Sequence, residues 1–106
     1  MSDIATVYAM FGSRDEAERI GRAMVEKRLA ACVNILGPAR SIYRWDGDIE
    51  TADEVPALFK TTMDAANELI AGITQMHSYD VPAVCLWPIA RTLESYAEWV
   101  NSETDD

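Results

Sequence analysis

Tyr43-Arg44-Trp45-Asp46-Gly47-Asp48-Ile49 stands at the centre of a strand-like run that extends over residues 31–61. Asp-Gly between two such runs is typical of a type I′ hairpin turn, because Asp tolerates a positive φ and Gly adopts one freely. Each arm holds about 14 residues and reaches roughly 45 Å, whereas a compact domain of this length is about 33 Å across. The sequence thus predicts a hairpin that one subunit is too small to cover. A second copy of the chain is the simplest cover.

Length and charge narrow the class of protein. The chain has 106 residues, which suits one domain over residues 1–106 with one core. Nine basic and 18 acidic residues give a formal net charge of −9, which disfavours binding to nucleic-acid phosphate or anionic lipid. The same charge is compatible with attraction of cations. We therefore expect a globular protein with no nucleic-acid partner.

The sequence also indicates a compartment. No apolar run approaches the ~18 residues that a membrane span needs, and no basic segment followed by an apolar core marks a secretory signal. The cysteines Cys32 and Cys85 lie in apolar runs without CxxC spacing, which is typical of free, buried thiols in a reducing compartment. We therefore predict a cytoplasmic protein that does not enter membranes.

Hydrophobic periodicity predicts three helices. Ser13-Arg14-Asp15-Glu16 is a capping box, in which the Ser13 hydroxyl accepts from the Glu16 amide and the Glu16 side chain returns to Ser13. The helix behind it is expected to end near Arg28, and a second is expected to begin near Thr62. A short third helix precedes a frayed acidic tail. The apolar positions that define the three helices are Ala17, Ile20, Gly21 and Met24, then Ala66, Leu69, Ile70 and Ile73, then Leu93, Tyr96, Ala97 and Val100.

Strands complete the pattern. Residues 4–11 and 81–86 read as strands outside the hairpin, the second ended by Trp87-Pro88. Gly37-Pro38 and Pro56 predict interruptions of the two hairpin arms, since proline cannot donate to a ladder. The order β-α-β-β-α-β-α is that of an α+β, ferredoxin-like βαββαβ sandwich with an extended hairpin and an extra C-terminal helix. Its overhanging hairpin can join a neighbour's sheet, and a ring of such exchanges closes with cyclic symmetry, most simply as a trimer.

Candidate chemistry is sparse. The sequence contains no phosphate-binding glycine loop, hydrolase nucleophile elbow or zinc-protease motif. His77 is its one imidazole, so no nucleophile–base pair is visible and an enzyme is disfavoured. At the end of the second predicted helix, His77 fits two interpretations. It interacts with the helix C-terminal dipole, or it is a metal ligand or pocket group beside Tyr79 and Asp80, with further ligands from other subunits.

Other candidates have two interpretations as well. Trp45 and Trp87 fit either pocket walls or packing anchors. Glu54 and Lys60 lie six residues apart, hence on one face of a strand, and fit either a buried pair completed by another subunit or a solvated face.

Several segments resemble the CutA divalent-cation-tolerance family, in order along nearly the whole chain. They are Lys27-Arg28-Leu29-Ala30-Ala31-Cys32-Val33-Asn34-Ile35, Ser41-Ile42-Tyr43-Arg44-Trp45-Asp46-Gly47-Asp48-Ile49, Glu54 with Phe59-Lys60-Thr61, His77-Ser78-Tyr79-Asp80-Val81-Pro82, and Pro88-Ile89 followed by Tyr96 and Trp99. The resemblance implies a ferredoxin-like subunit, a homotrimer built through the long hairpins, an association with copper or other divalent cations, and no enzymatic activity.

The chain departs from the family at positions where metal-binding members can carry ligands. A cysteine at the end of the first strand is replaced by Phe11, and two adjacent histidines are replaced by Met76 and His77. The resemblance therefore leaves His77 as the metal ligand. Met76 fits either a soft ligand for Cu(I) or a core residue.

Three functions stay open at this point. The first is a trimeric CutA-like protein that binds divalent cations between subunits near His77. The second is a trimeric signalling module, similar to the PII family, that binds a small ligand between subunits. The third is a non-catalytic scaffold for a partner protein.

Overall fold

The computed structural model describes residues 3–104 and has a mixed α+β architecture with one antiparallel sheet and three helices. Residues 1, 2, 105 and 106, including the end of the acidic tail, lie outside the described residues. Strands β2-β4-β1-β5 are neighbours in that order, and β3 pairs with β4 further along the same strand. The elements are β1 (Ile4–Phe11), α1 (Arg14–Glu26), β2 (Cys32–Ile35), β3 (Ala39–Trp45), β4 (Asp48–Thr62), α2 (Ala66–Met76), β5 (Val84–Pro88) and α3 (Glu94–Thr104).

The predicted hairpin is confirmed. Strands β3 and β4 pair from Ala39 opposite Glu54 to Trp45 opposite Asp48. The turn residues Asp46 and Gly47 have φ of 52° and 86°, as a type I′ turn requires. The hairpin contributes to an elongated molecule of 45 × 25 × 23 Å.

Pro38 and Pro56, one in each arm of the hairpin, lie at the same irregularity of the ladder. Ile35 lies opposite Ala57 and Ala39 opposite Glu54, so residues 36–38 face residues 55–56 with one residue in excess, as in a β-bulge. The Pro56 carbonyl accepts from the Leu36 amide at 2.9 Å. The nitrogen of Pro56 points to the same side, because a strand residue directs both backbone groups one way. The interruption is confirmed in the first arm, but β4 runs unbroken through Pro56 because its missing N–H faces the bulge.

The core lies between the sheet and two helices. Alternate residues of β1 and β4 face α1 and α2, because successive side chains of a strand point to opposite faces. Helix α3 packs on the other face, where Val100 is buried against Ile4. The fully buried side chains between the sheet, α1 and α2 include Val7, Phe11, Ile20, Met24, Phe59, Leu69 and Ile73.

Helix boundaries differ from expectation for local reasons. Helix α1 ends at Glu26 because Arg28 takes a left-handed φ of 62°. The Leu29 amide donates to Met24 and the Arg28 amide to Val25, which is the Schellman arrangement with arginine in the position that usually holds glycine. Helix α2 begins at residue 66 rather than near Thr62, because β4 continues to residue 62.

Two further expectations are corrected at β5. The strand covers residues 84–88 rather than 81–86, and Pro88 lies within it because an edge strand tolerates proline.

Cys32 and Cys85 are both free, but Cys85 is exposed and Cys32 only half-buried. Both cysteines lie on the sheet face opposite α1 and α2. No described helix is long and apolar enough to cross a membrane.

Substitution of two glycines tests the turn assignment. Gly47 and Gly37 both have open space where a Cβ would lie, but only Gly47 has a positive φ. We expect Gly47→Ala to lower the free energy of unfolding by about 1 kcal/mol and Gly37→Ala to leave it nearly unchanged. Urea unfolding of both variants measures the difference. Equal losses would contradict a type I′ turn at residues 46 and 47.

Candidate functional site

His77 is the C-cap of α2, and its side chain is 0% exposed. Its Nε2 lies 2.8 Å from the Met10 carbonyl oxygen, and its Nδ1 lies 3.0 Å from the Tyr79 amide nitrogen. A carbonyl oxygen accepts and an amide N–H donates, so Nε2 carries the proton and Nδ1 the lone pair. The imidazole is therefore neutral in this arrangement, and hydrogen bonds occupy both of its nitrogens.

Two aromatic rings enclose the imidazole. The Phe11 ring stacks on it with centroids 5.0 Å apart and planes 11° from parallel. The Tyr79 ring lies on its other side at 4.7 Å and 52°. Because β1 positions Phe11 and the turn after α2 positions Tyr79, the imidazole joins these two parts of the fold.

Glu16 ties the start of α1 to the same turn. Its amide donates to the Ser13 hydroxyl at 3.1 Å, which confirms the predicted N-cap. Its carboxylate, however, does not return to Ser13. It accepts from the Ser78 amide at 2.8 Å, the Ser78 hydroxyl at 3.1 Å and the Gly12 amide at 3.4 Å. The turn thus offers the carboxylate two donors in one residue, which outcompete the local capping bond.

The Glu16 carboxylate is held as an anion. Burial raises the pKa of Glu16, and hydrogen bonds from the Ser78 amide and hydroxyl and from the Gly12 amide lower it; a protonated His77 would lower it further. The net pKa lies below the usual 4.5. His77 Nδ1 lies 3.8 Å from the Glu16 carboxylate. The site therefore stabilises the ionised form of Glu16 at neutral pH.

Tyr79 connects this turn to the hairpin. Its hydroxyl donates to a Glu54 carboxylate oxygen at 2.9 Å. Burial, this hydrogen bond and the negative charges of Glu54 and Glu16 raise the pKa of Tyr79 to about 12. Tyr79 accordingly stays protonated, as a donor, across the physiological range.

Other candidates occupy separate places. Lys60 donates to Asn34 at 3.0 Å, so it does not pair with Glu54 in the subunit. Trp45 lies at the hairpin tip, and Trp87 stacks on Tyr8 with centroids 5.0 Å apart on the sheet face opposite α1 and α2. Met76 packs against the hydrophobic core, which confirms its core interpretation.

Comparison with known proteins identifies the family. Residues 5–103 match the family model described as CutA1 divalent ion tolerance protein. The chain belongs to the CutA1 family. It is 38% identical over 99 residues to the divalent-cation tolerance protein CutA of Archaeoglobus fulgidus. The matched segment covers 93% of this chain and 96% of that relative.

Solved CutA structures share the fold. CutA from the bacterium Xylella fastidiosa gives a TM-score of 0.96 at 36% identity, covering 98% of this chain and 100% of that one. The A. fulgidus structure, described as a periplasmic protein, gives 0.93 at 37% identity, covering 96% of this chain and 99% of that one.

The family name raises the question of whether His77 fits a divalent cation. In this fold the His77 imidazole does not fit a divalent cation. A metal ion needs a free lone pair on the ring, and the lone pair of Nδ1 accepts the hydrogen bond from the Tyr79 amide. Among residues 3–104, no three His, Cys, Asp or Glu side chains are close enough to hold a metal ion together. Metal ligation by His77 stays a prediction, with the condition that the ring first gives up a hydrogen bond.

Sequence reasoning missed the contacts that organise this CutA1 site. Glu16 and Ser78 are 62 residues apart, and nothing in either local pattern indicates that they meet. The bond between Tyr79 and Glu54 is equally non-local, although both residues belong to segments that carry the family resemblance.

Acid unfolding tests the Glu16 assignment. The folded pKa of Glu16 lies below its unfolded value, so its contribution is fully present above about pH 4.5 and is lost as pH falls through the folded pKa. We expect Glu16→Gln to cost about 1–2 kcal/mol at pH 7 and to differ progressively less from the parent chain below about pH 4.5.

Glu18→Gln is the matched control. Glu18 lies on the exposed side of α1 and pairs with Arg14 at 3.5 Å, a contact of small expected value. Chemical denaturation between pH 3 and 7 measures all three chains. A Glu16→Gln deficit that is the same at every pH would contradict the assignment.

Proposed function

We propose that this chain is a non-catalytic, divalent-cation-tolerance protein that works as a homotrimer and binds copper or other divalent cations. We also propose that residues 1–106 act as one domain, in the cytoplasm. Membership of the CutA1 family supports the role in cation tolerance. The single observation that carries the assembly is the half of β4 that extends beyond β1.

This overhanging half of β4 has an open edge. Strand β1 ends with Phe11 opposite Val55, and residues 48–54 continue in pairing with β3. Since the Pro56 carbonyl faces the β2 side, alternation directs the amides of Ile49, Thr51 and Asp53 away from β3. An isolated two-stranded hairpin is marginally stable, and an open edge readily accepts another strand. A neighbouring subunit that supplies this strand removes both problems.

Exposed apolar side chains support the same proposal. Ile42 is 70% exposed, Ile49 64% and Trp45 54%, all on the overhang, while Trp87 on the sheet is 50% exposed. The register places Ile42 and Ile49 on one face of the hairpin and Trp45 on the other, and apolar side chains exposed on both faces are typical of a segment that contacts another protein. Three copies in a ring would bury these side chains without leaving an open edge.

The strand order supports a ferredoxin-like description of the subunit. The order β2-β4-β1-β5, with α1 and α2 on one face, matches a βαββαβ sandwich when β2 and β3 count together as its second strand. In this description the overhang extends the central hairpin, and α3 is the extra C-terminal helix.

The compartment is proposed from the thiols. Cys32 and Cys85 are both free, and free thiols persist in reducing compartments such as the cytoplasm. The A. fulgidus relative is described as periplasmic, so fractionation of cells that express this chain is the direct test.

A shortened hairpin tests the trimer. Ser41 and Ala52 are register partners, so deletion of residues 42–45 and 48–51 leaves Asp46-Gly47 as a turn directly between them. We expect light scattering to give three times the subunit mass of 11.8 kDa for the full chain and a shift toward one subunit mass for the shortened chain. An intact trimer of the shortened chain would refute assembly through the hairpin.

Calorimetric titration tests His77 as a ligand. We expect His77→Gln to weaken binding of Cu(II) and Ni(II) at least about tenfold while the trimer persists, since glutamine retains a donor and an acceptor but has no imidazole lone pair. Cys85→Ala is the matched control, because Cys85 is an exposed, competing soft ligand. Equal affinities of the parent chain and His77→Gln would remove His77 from the proposal, and loss in Cys85→Ala alone would assign binding to the thiol.

A further inference from the structure

The base of the overhanging hairpin, at residues 36–38 and 54–56, has few contacts with the rest of the subunit. On one side, the bulge at residues 36–38 separates β2 from β3. Gly37 has no neighbouring heavy atom within 4 Å of the place where a Cβ would lie. On the other side, β1 ends opposite Val55. Strand β4 and the bulged residues 36–38, with the hydrogen bond from the Leu36 amide to the Pro56 carbonyl, therefore connect the hairpin to the rest of the sheet.

Within residues 3–104, one side-chain hydrogen bond crosses the base of the hairpin. Glu54 is the first residue of β4 beyond β1, and it accepts from the Tyr79 hydroxyl at 2.9 Å. Tyr79 belongs to the turn after α2, which is part of the packed body of the subunit. A hydrogen bond from a neutral donor to a carboxylate is roughly twice as strong as one between neutral groups. The bond is placed where it restrains the direction of the hairpin.

Two neighbours restrict Tyr79: His77, through its ring and the Tyr79 amide, and Gly12, close to the Tyr79 hydroxyl. The Tyr79 amide donates to His77 Nδ1 at 3.0 Å, and the Tyr79 ring lies 4.7 Å from the imidazole. His77 is anchored in turn by the Met10 carbonyl. The Tyr79 hydroxyl also passes close to Gly12, where an added Cβ would lie 3.1 Å from it. Tyr79 is 37% exposed, but these contacts restrict its ring, so less conformational entropy is lost when its hydroxyl binds Glu54.

We propose that Tyr79 and Glu54 form a latch that fixes the direction of the hairpin and so prepares the free subunit for assembly, with His77 as the positioning residue. The inference rests on the proposed homotrimer and adds the residues that regulate its formation. A hairpin already held in its assembled direction loses less entropy on association, which strengthens the complex without adding a contact to it. Burial raises the pKa of Tyr79, and the hydrogen bond to the Glu54 carboxylate raises it further.

Subunit exchange measures the latch. Isotopically light and heavy trimers of the full chain are mixed, and native mass spectrometry follows their exchange. We expect Tyr79→Phe and Glu54→Ala each to exchange about tenfold faster than the parent chain, which corresponds to one charge-assisted hydrogen bond. The double variant should exchange no faster than either single variant, because each substitution already opens the latch.

Two further variants separate the latch from general loss of stability. Gly12→Ala places a Cβ 3.1 Å from the Tyr79 hydroxyl, which must give way by a few tenths of an ångström, so it should speed exchange less than Tyr79→Phe does and have little further effect in the Tyr79→Phe chain. Thr74→Val is the matched control, because it removes an exposed hydroxyl that bonds the Ile70 carbonyl one turn back in the same helix, and it should exchange at the parent rate. If Tyr79→Phe fails to fold, Glu54→Ala and Gly12→Ala carry the test.

The outcomes distinguish the latch from the proposed trimer. Parent-like exchange in Tyr79→Phe, Glu54→Ala and Gly12→Ala would overturn the latch and leave the trimer intact. A parent chain that is monomeric would overturn the trimer. Hydrogen exchange at Leu36, whose amide donates to the Pro56 carbonyl at the base of the hairpin, then decides the latch. Faster exchange there in Tyr79→Phe, with unchanged exchange at Val7, supports the latch, and equal exchange overturns it.

Discussion

Strand β4 is the element on which the rest of the structure depends. Its 15 residues pair with β1 and β2 along one half and with β3 along the other. One half lies in the core, where Ala57 and Phe59 are buried, and the other extends past the end of β1. The strand can be continuous because Pro56 directs its missing donor into the bulge at residues 36–38. A proline in a buried ladder position would instead have ended the strand.

The turn after α2 joins the two halves of this arrangement. His77 satisfies both nitrogens within the fold, with the Met10 carbonyl on one side and the Tyr79 amide on the other. Glu16 secures Ser78 from the start of α1. A buried polar network of this kind stabilises a fold when every member has a partner, and the described buried side-chain nitrogens and oxygens all have one. Both ring nitrogens of His77 are hydrogen-bonded within the fold. A cation can therefore bind this imidazole only if one of the two bonds is displaced.

Much of the fold could be predicted from local sequence. Asp46-Gly47 predicts the turn and Ser13 predicts the start of α1, because each signal acts over a few residues. The end of α1 was harder to predict, since arginine at Arg28 replaces the glycine that usually marks a left-handed C-terminal position. The apolar neighbours of Cys85 predict a buried thiol, but alternation on an edge strand places it at the surface.

The candidate site could be predicted only in part. The sequence singled out His77 because it is the one imidazole, and the family resemblance added the turn around it. The partners that decide its chemistry come from β1, α1 and the hairpin, far away along the chain. Local patterns carry no information on such contacts. The surface of the overhang, in contrast, follows from sequence, because alternating apolar residues on an arm that extends past the body must remain exposed in one subunit.

The central claim is that a neighbouring subunit covers the open edge of β4. Residue-resolved hydrogen exchange of the full chain tests it at Ile49, Thr51 and Asp53, whose amides point away from β3, with Glu50 and Ala52 as internal references that face β3. If a neighbouring subunit covers this edge, the first three amides are strongly protected, and their protection is lost as the protein is diluted below the concentration at which it assembles. Rapid exchange of Ile49, Thr51 and Asp53 at every concentration, beside protected Glu50 and Ala52, would contradict it.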